Sequence, residues 1–179
     1  MISQLPDDPA LVERARRDPQ AFALLYRQYL APVYRYLYRR SGNVHESEDL
    51  TAQVFIEILE GLAKGKFRAG SNFPAWLFTI ARRRVTDFYR QKPIAVLDEI
   101  PSAEPGLLSE LEKTDDLKRL AQLLAQLDPE KQELLRLRFS AGLGFAEIAL
   151  LEGKSEAAIK MTIYRTIDWL REHWEAENG

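Results

Sequence analysis

Residues able to do chemistry are few in this chain, and most are charged. It has no cysteine and two histidines, His45 and His173, far apart in sequence. Zinc sites commonly take three or four cysteine, histidine or carboxylate ligands. A thiolate metal site, a disulfide and a cysteine nucleophile are therefore excluded by composition, and neither a histidine-based metal site nor a cofactor is expected. What remains is carboxylate and guanidinium chemistry, unevenly distributed. From Lys64 to Lys92 the cations are Lys64, Lys66, Arg68, Arg82, Arg83, Arg84, Arg90 and Lys92, against Asp87 alone. From Pro93 to Leu117 the acids Asp98, Glu99, Glu104, Glu110, Glu112, Asp115 and Asp116 face only Lys113. A net charge of -2 and a pI near 5.8 conceal this segregation. A cationic block interleaved with Trp76, Phe88 and Tyr89 suits phosphate attraction and base stacking.

The elements that must hold these residues read as helices throughout, since apolar residues recur at helical spacing and no segment alternates like a strand. A short helix is expected over 8–17, closed by Asp18-Pro19. A long one follows from Gln20 to about Ser41-Gly42-Asn43, carrying Phe22, Leu25, Tyr29, Val33, Tyr36 and Leu37. A third, over about 46–62, buries Leu50, Val54, Ile58 and Leu62 and turns out Glu46, Asp49, Gln53, Glu57 and Glu60. Pro74 belongs in the first turn of a fourth, capped by Asn72 or Ser71, which buries Trp76, Leu77, Ile80, Ala81 and Phe88 up to about Gln91. Lys92-Pro93 ends it.

The segment 93–110, with its prolines, glycine and acids, reads as a linker between domains at 1–92 and 111–179. Helices are expected near 111–127, 129–140, 145–152 and 155–174. The last two, joined by Gly153-Lys154 with Ser155 as cap, have the pattern of a helix-turn-helix. Ala146, Ile148, Ala149, Ile159, Ile163 and Ile167 are expected in its core. The fold class is thus all-α: two small helical domains joined by an acidic, proline-containing linker, the second a helix-turn-helix domain. The first residues lack a basic stretch followed by an apolar run, and no apolar stretch nears the ~20 residues of a membrane span. The chain is read as soluble and cytoplasmic.

Three ordered motifs carry a family resemblance. Asn43 to Phe55 resembles the start of region 2.2 of the extracytoplasmic-function sigma factors, bacterial relatives of sigma-70. Phe73 to Arg84, with Asp87 and Arg90, resembles regions 2.3 and 2.4. Leu127-Asp128-Pro129-Glu130 through Leu135, then Phe145 to Ala149, Gly153, Ser155, Glu156 and Lys160, resembles region 4. The resemblance implies a non-enzymatic subunit that binds core RNA polymerase, directs it to promoter DNA and melts the -10 element.

It also distributes roles. Glu46, Asp49, Gln53 and Glu57 would dock on the clamp coiled coil of the largest polymerase subunit. The loop Phe67 to Asn72 would capture a flipped base of the -10 element, so Lys66, Phe67, Arg68, Ser71 and Asn72 would meet DNA. Thr79, Arg82, Arg83, Thr86 and Arg90 would follow the non-template strand. Lys154, Ser155, Glu156, Ala157, Lys160, Met161, Tyr164 and Arg165 would read the -35 element, with the polymerase flap holding that domain. An anti-sigma factor is a further implied partner.

The chain departs from the pattern in places. Ala52 and Gln53 stand where many relatives carry glutamine and glutamate, Arg83 where asparagine is common, and Thr162 where an arginine is frequent. Glu152 and Lys154 replace commonly apolar turn residues, and few cations remain for phosphates near the last helix. Recognition of the -35 element is therefore expected to be weak without polymerase tethering. The acidic segment reads first as a passive tether and second as the connector that, in the family, threads toward the polymerase active-site channel. Three other readings of the whole chain, an ordinary helix-turn-helix regulator, a magnesium-dependent enzyme acting on nucleic acid and a purely protein-binding helical adaptor, fit less. The first leaves the acidic and basic helices unexplained, and the second lacks a clustered acid set and a phosphate-binding glycine loop.

Overall fold

The structure, a computed structural model, describes residue 5 and residues 7–91 and 115–176. Among them are eight α-helices and one π-helical turn, and no strand. They are α1 (Pro9–Ala15), α2 (Pro19–Ser41), α3 (Val44–Ala63), α4 (Phe73–Gln91), α5 (Asp115–Gln126), α6 (Pro129–Leu135), the π turn (Arg136–Ser140), α7 (Phe145–Glu152) and α8 (Glu156–Ala176). The linker expected at 93–110 lies outside the described residues, as does the start of the helix expected from 111.

Each helix boundary has a local cause. Asp8 sits outside α1 and its Oδ1 accepts the Leu11 N–H at 3.0 Å, so the cap occupies the position expected to begin the helix. Asp18-Pro19, expected only as a break, opens α2: Asp18 accepts the Gln20 N–H at 2.9 Å and Pro19 is the first helical residue. Gly42, at φ 71°, closes α2, and Asn43 then caps α3 through the Glu46 N–H at 3.2 Å. Of the two candidate caps for α4, Asn72 holds the Ala75 N–H at 2.8 Å. The helix expected over 129–140 changes pitch, because the Ala141 N–H reaches back five residues to the Arg136 carbonyl at 3.0 Å.

α1 to α4 pack around Leu25, Tyr29, Val33, Tyr36 and Leu37 of α2, the α3 stripe Leu50, Val54, Ile58 and Leu62, and Leu77, Phe78, Ala81 and Val85 of α4. Edge-on aromatic pairs fix the register. Tyr29 meets Phe73 with centroids 5.2 Å apart, and Tyr36 meets Phe78 at 5.5 Å. The second half buries Leu134, Leu137, Leu143, Ile148, Ile159 and Ile163, and its apolar residues are continuous with those of the first half. Ala146, expected in this core, is exposed, and Ile167 is only half-buried. The polar residue that α7 does bury is Glu147, whose carboxylate turns back to accept the Gly144 N–H.

The two halves touch through polar contacts as well. Glu133 of α6 accepts from the Tyr36 hydroxyl at 2.6 Å and from Arg40 at 3.0 Å. Arg35 donates to the Ser140 carbonyl at 3.2 Å, and α4 packs on α7.

Gly153, between α7 and α8, has φ 64° and nothing within 4 Å of where a Cβ would stand. Its replacement therefore meets only the backbone penalty of the left-handed region, about 1–2 kcal/mol. Gly153→Ala should lower stability by about that amount, and Gly153→Asn by less, measured by urea unfolding. Equal stability for Gly153→Ala would show that the turn does not hold this conformation.

Candidate protein and nucleic-acid interfaces

α3 turns its polar face outward, but not all of that face is alike. Asp49 and Gln53 are exposed, and among the described residues the Asp49 side chain makes no ion pair. Glu46 is half-buried and lies close enough to Tyr89 to raise that phenol's pKa, though burial of the ring is the larger cause. Glu57 corrects its expected place. Rather than facing a partner, it receives Arg83 on one carboxylate oxygen and Arg84 Nε on the other at 2.7 Å, tying α3 to α4. Helical spacing put Glu57 on the polar face but could not show which helix stood opposite.

Two apolar residues share the outward face with Asp49 and Gln53. Ile56 is 59% exposed and Leu59 45% exposed. Sequence reasoning missed them, yet both lie off the Leu50-Val54-Ile58-Leu62 stripe, which is the signal that would have found them. Phe55 is core, packed edge-on against Tyr26 with centroids 4.7 Å apart.

Burial pushes the Glu57 carboxyl up, but hydrogen bonds and charge from Arg83 and Arg84 outweigh it and hold it below its ordinary 4.5. A carboxyl held low when folded contributes stability above its unfolded pKa and loses it as pH falls through the folded value. Glu57→Gln should therefore cost up to about 1 kcal/mol at neutral pH, screened because both arginines are partly exposed. The difference from wild type should shrink as pH falls below 4.5 and through the lowered folded value. A constant difference from neutral to acid pH in thermal melts would count against the pairing.

Residues 64–72 join α3 to α4 and present Lys64, Lys66, Arg68 and Ser71 at the surface. Phe67 does not join them. It is 5% exposed and packs on Phe73 at 5.6 Å and Trp76 at 5.1 Å, so its ring supports the loop instead of offering a free stacking face. Trp76 is half-buried in this cluster, with Gly61 leaving it room: a Cβ there would stand 3.0 Å from the indole. Asn72 is also committed internally, accepting from Ala75 and donating to Asp7 at 3.2 Å.

On α4, Thr79, Arg83, Thr86 and Arg90 are exposed on one face. Thr79 and Thr86 each hydrogen-bond the carbonyl four residues earlier, so a hydroxyl donor toward DNA would have to leave that bond. Arg90 lies 3.2 Å from Asp87. Arg82 is turned to the second half: it binds Glu152 at 2.5 Å and the Leu151 carbonyl at 3.2 Å.

The start of α8 displays Glu156, Ala157, Lys160, Met161, Tyr164 and Arg165, all exposed. Ser155 caps the helix through the Ala158 N–H at 3.2 Å, and Lys154 reaches Glu130 at 2.5 Å. Lys160 lies over the Tyr164 ring, 5.9 Å from its centroid. Among the described residues no group of three histidine or acidic side chains could hold a metal ion, and no helix is long and apolar enough to cross a membrane.

Comparison with known proteins falls on these same elements. The family model for Sigma-70 region 2 matches residues 25–93, and that for Sigma-70 region 4 matches residues 117–170. The chain is 37% identical over 166 residues to the ECF RNA polymerase sigma factor BldN of Streptomyces coelicolor, covering 88% of this chain and 62% of that protein. It is 33% identical to RNA polymerase sigma factor YlaC of Bacillus subtilis, covering 79% of this chain and 84% of YlaC. The structure of CnrH in complex with the cytosolic domain of CnrY shares the fold, with a TM-score of 0.70 at 22% identity over 94% of this chain and 97% of CnrH. The outward face of α3, the basic helix α4 and the helix-turn-helix α7–α8 thus stand in the order of Sigma-70 regions 2 and 4, and the chain belongs to the ECF branch of the sigma-70 family of RNA polymerase sigma factors.

Proposed function

We propose that this chain serves transcription initiation as a two-region adaptor, with residues 1–92 engaging core polymerase and the -10 element and 111–179 engaging the -35 element. One observation carries the reading: α3 presents free acceptors, Asp49 and Gln53, beside exposed Ile56 and Leu59. Helix α4 behind it presents cations, among them Arg83 and Arg90. A partner helix bearing arginines would find charge-assisted hydrogen bonds and an apolar anchor on the first surface. A phosphate backbone would find attraction on the second.

Strand contact on α4 falls to Arg83, Thr86, Arg90 and Thr79, and base capture to the tip of the 64–72 loop, chiefly Lys66, Arg68 and Ser71. Duplex reading falls to Glu156, Ala157, Lys160, Met161, Tyr164 and Arg165 at the start of α8, where helix-turn-helix proteins meet base edges. Its sparse cations make that region dependent on tethering by the polymerase flap. The chain performs no catalysis of its own and acts in the cytoplasm with the polymerase. An anti-sigma factor, the kind of partner with which the sigma factor RpoE from Bartonella quintana was solved, is a fitting further partner.

Run-off transcription with core polymerase on a promoter library tests the reading. Enrichment of one bipartite sequence is expected. A chain that shifts duplex DNA but never associates with core polymerase would instead be an ordinary regulator.

A further inference from the structure

The loop from Lys64 to Asn72 is tied at two points to residues remote in sequence. Arg16, immediately after α1, donates Nη2 to the Phe67 carbonyl at 2.6 Å. Its side chain is 17% exposed, and Nε lies 2.7 Å from Glu13 Oε2. Asp7, before α1, accepts the Asn72 side-chain amide at 3.2 Å. Between these anchors stand Arg68, Ala69, Gly70 and Ser71, all exposed, with Gly70 at φ 79° and open space where its Cβ would be.

Both anchors involve an ionised group, and such hydrogen bonds are roughly twice as strong as neutral ones. The tip is therefore held at each end while its side chains stay outside. A loop ordered before its ligand arrives has less freedom to lose on binding. Glu13 neutralises Arg16, so the contribution of Arg16 is geometric and not an added charge for phosphates.

We propose that Arg16 and Asp7 are positioning residues that preorganise the 68–71 tip for an extruded nucleotide; this rests on the base-capture role proposed above for the loop. Neither residue touches the strand. The N-terminal segment thereby becomes part of the promoter-melting apparatus.

The test uses holoenzyme assembled from core polymerase and the full chain. The probes are single-stranded oligonucleotides of the non-template sequence enriched by run-off selection, each with one abasic site. Wild type should lose about tenfold in affinity at one position, since a stacked base contributes measurably. Arg68→Ala or Ser71→Ala should reduce the same loss. Arg16→Gln should shrink the penalty at that position to about twofold or less, leaving the other positions and core affinity unchanged. Arg16→Lys, which keeps a cationic donor, should restore part of it, and Asp7→Ala should act in the same direction as Arg16→Gln. If Arg16→Gln and Asp7→Ala both keep the wild-type penalty, the positioning role is overturned while the loop's role stands. A uniform loss at all positions would equally overturn it, as the mark of a general structural role. Should no abasic position respond to Arg68→Ala or Ser71→Ala, the base-capture reading of the loop itself fails.

Discussion

Asp49→Arg should lower affinity for core RNA polymerase by roughly ten- to a hundredfold, about 1.4–2.7 kcal/mol, without changing the melting temperature. Asp49 is exposed on α3, more than one turn past the Asn43 cap, so its charge adds little through the helix dipole, which acts within the first turn. Its side chain forms no ion pair among the described residues, and surface substitutions away from specific contacts usually stay within about 0.5 kcal/mol. Against a cationic partner helix, arginine both removes an acceptor and introduces like-charge repulsion. Affinity measured by fluorescence anisotropy at increasing salt should fall for wild type and change less for the variant, because the lost attraction is the screened component. Ile56→Ser should also weaken binding, without altering the salt slope. Unchanged affinity for Asp49→Arg, or a collapse of the fold, would remove this face from the docking assignment.

Local rules made much of the architecture legible. Leu50, Val54, Ile58 and Leu62 recur at helical spacing and are all buried, and the expected caps Asn72 and Ser155 each accept a backbone N–H at a helix start. The turn at Gly153 followed from the need for a left-handed residue between two short-spaced helices. What escaped were contacts set by tertiary packing. Periodicity assigns Glu57 to a polar face, but only the approach of α4 turns it onto Arg83 and Arg84, 26 and 27 residues away. The family resemblance put Phe67 among the residues meeting DNA, whereas its ring closes a cluster with Phe73 and Trp76. The α-to-π change after Leu135 leaves no compositional trace at all. The motif order carried the family, while the partners of individual charges needed the fold.

Glu133→Lys should separate the two halves. The carboxylate is 12% exposed and accepts from the Tyr36 hydroxyl, Arg40 and Arg136, the last with Nε at 3.1 Å. Burial, reinforced by the Glu133 charge and hydrogen bond, raises the Tyr36 pKa and keeps the phenol protonated as the donor. Removing one partner of a buried ion pair costs about 3–5 kcal/mol, and the low end applies because Arg40 and Arg136 keep 25% and 21% of their side-chain exposure. Lysine adds a third cation to that group, so the strain falls between α2, which carries Tyr36 and Arg40, and α6. Loss of this contact leaves the part-buried bonds of Arg82 to Glu152 and Leu151, the exposed Arg35–Ser140 bond and the packing of α4 on α7 to hold the halves. Small-angle scattering should show a larger radius of gyration for Glu133→Lys. Single-stranded DNA affinity should rise with a steeper salt dependence, as Arg82 leaves Glu152 and becomes available to phosphates. The milder Glu133→Gln retains hydrogen-bonding capacity and should give a partial shift in both measurements. A scattering profile for Glu133→Lys that matches wild type would show that the apolar contact between the halves holds them without Glu133.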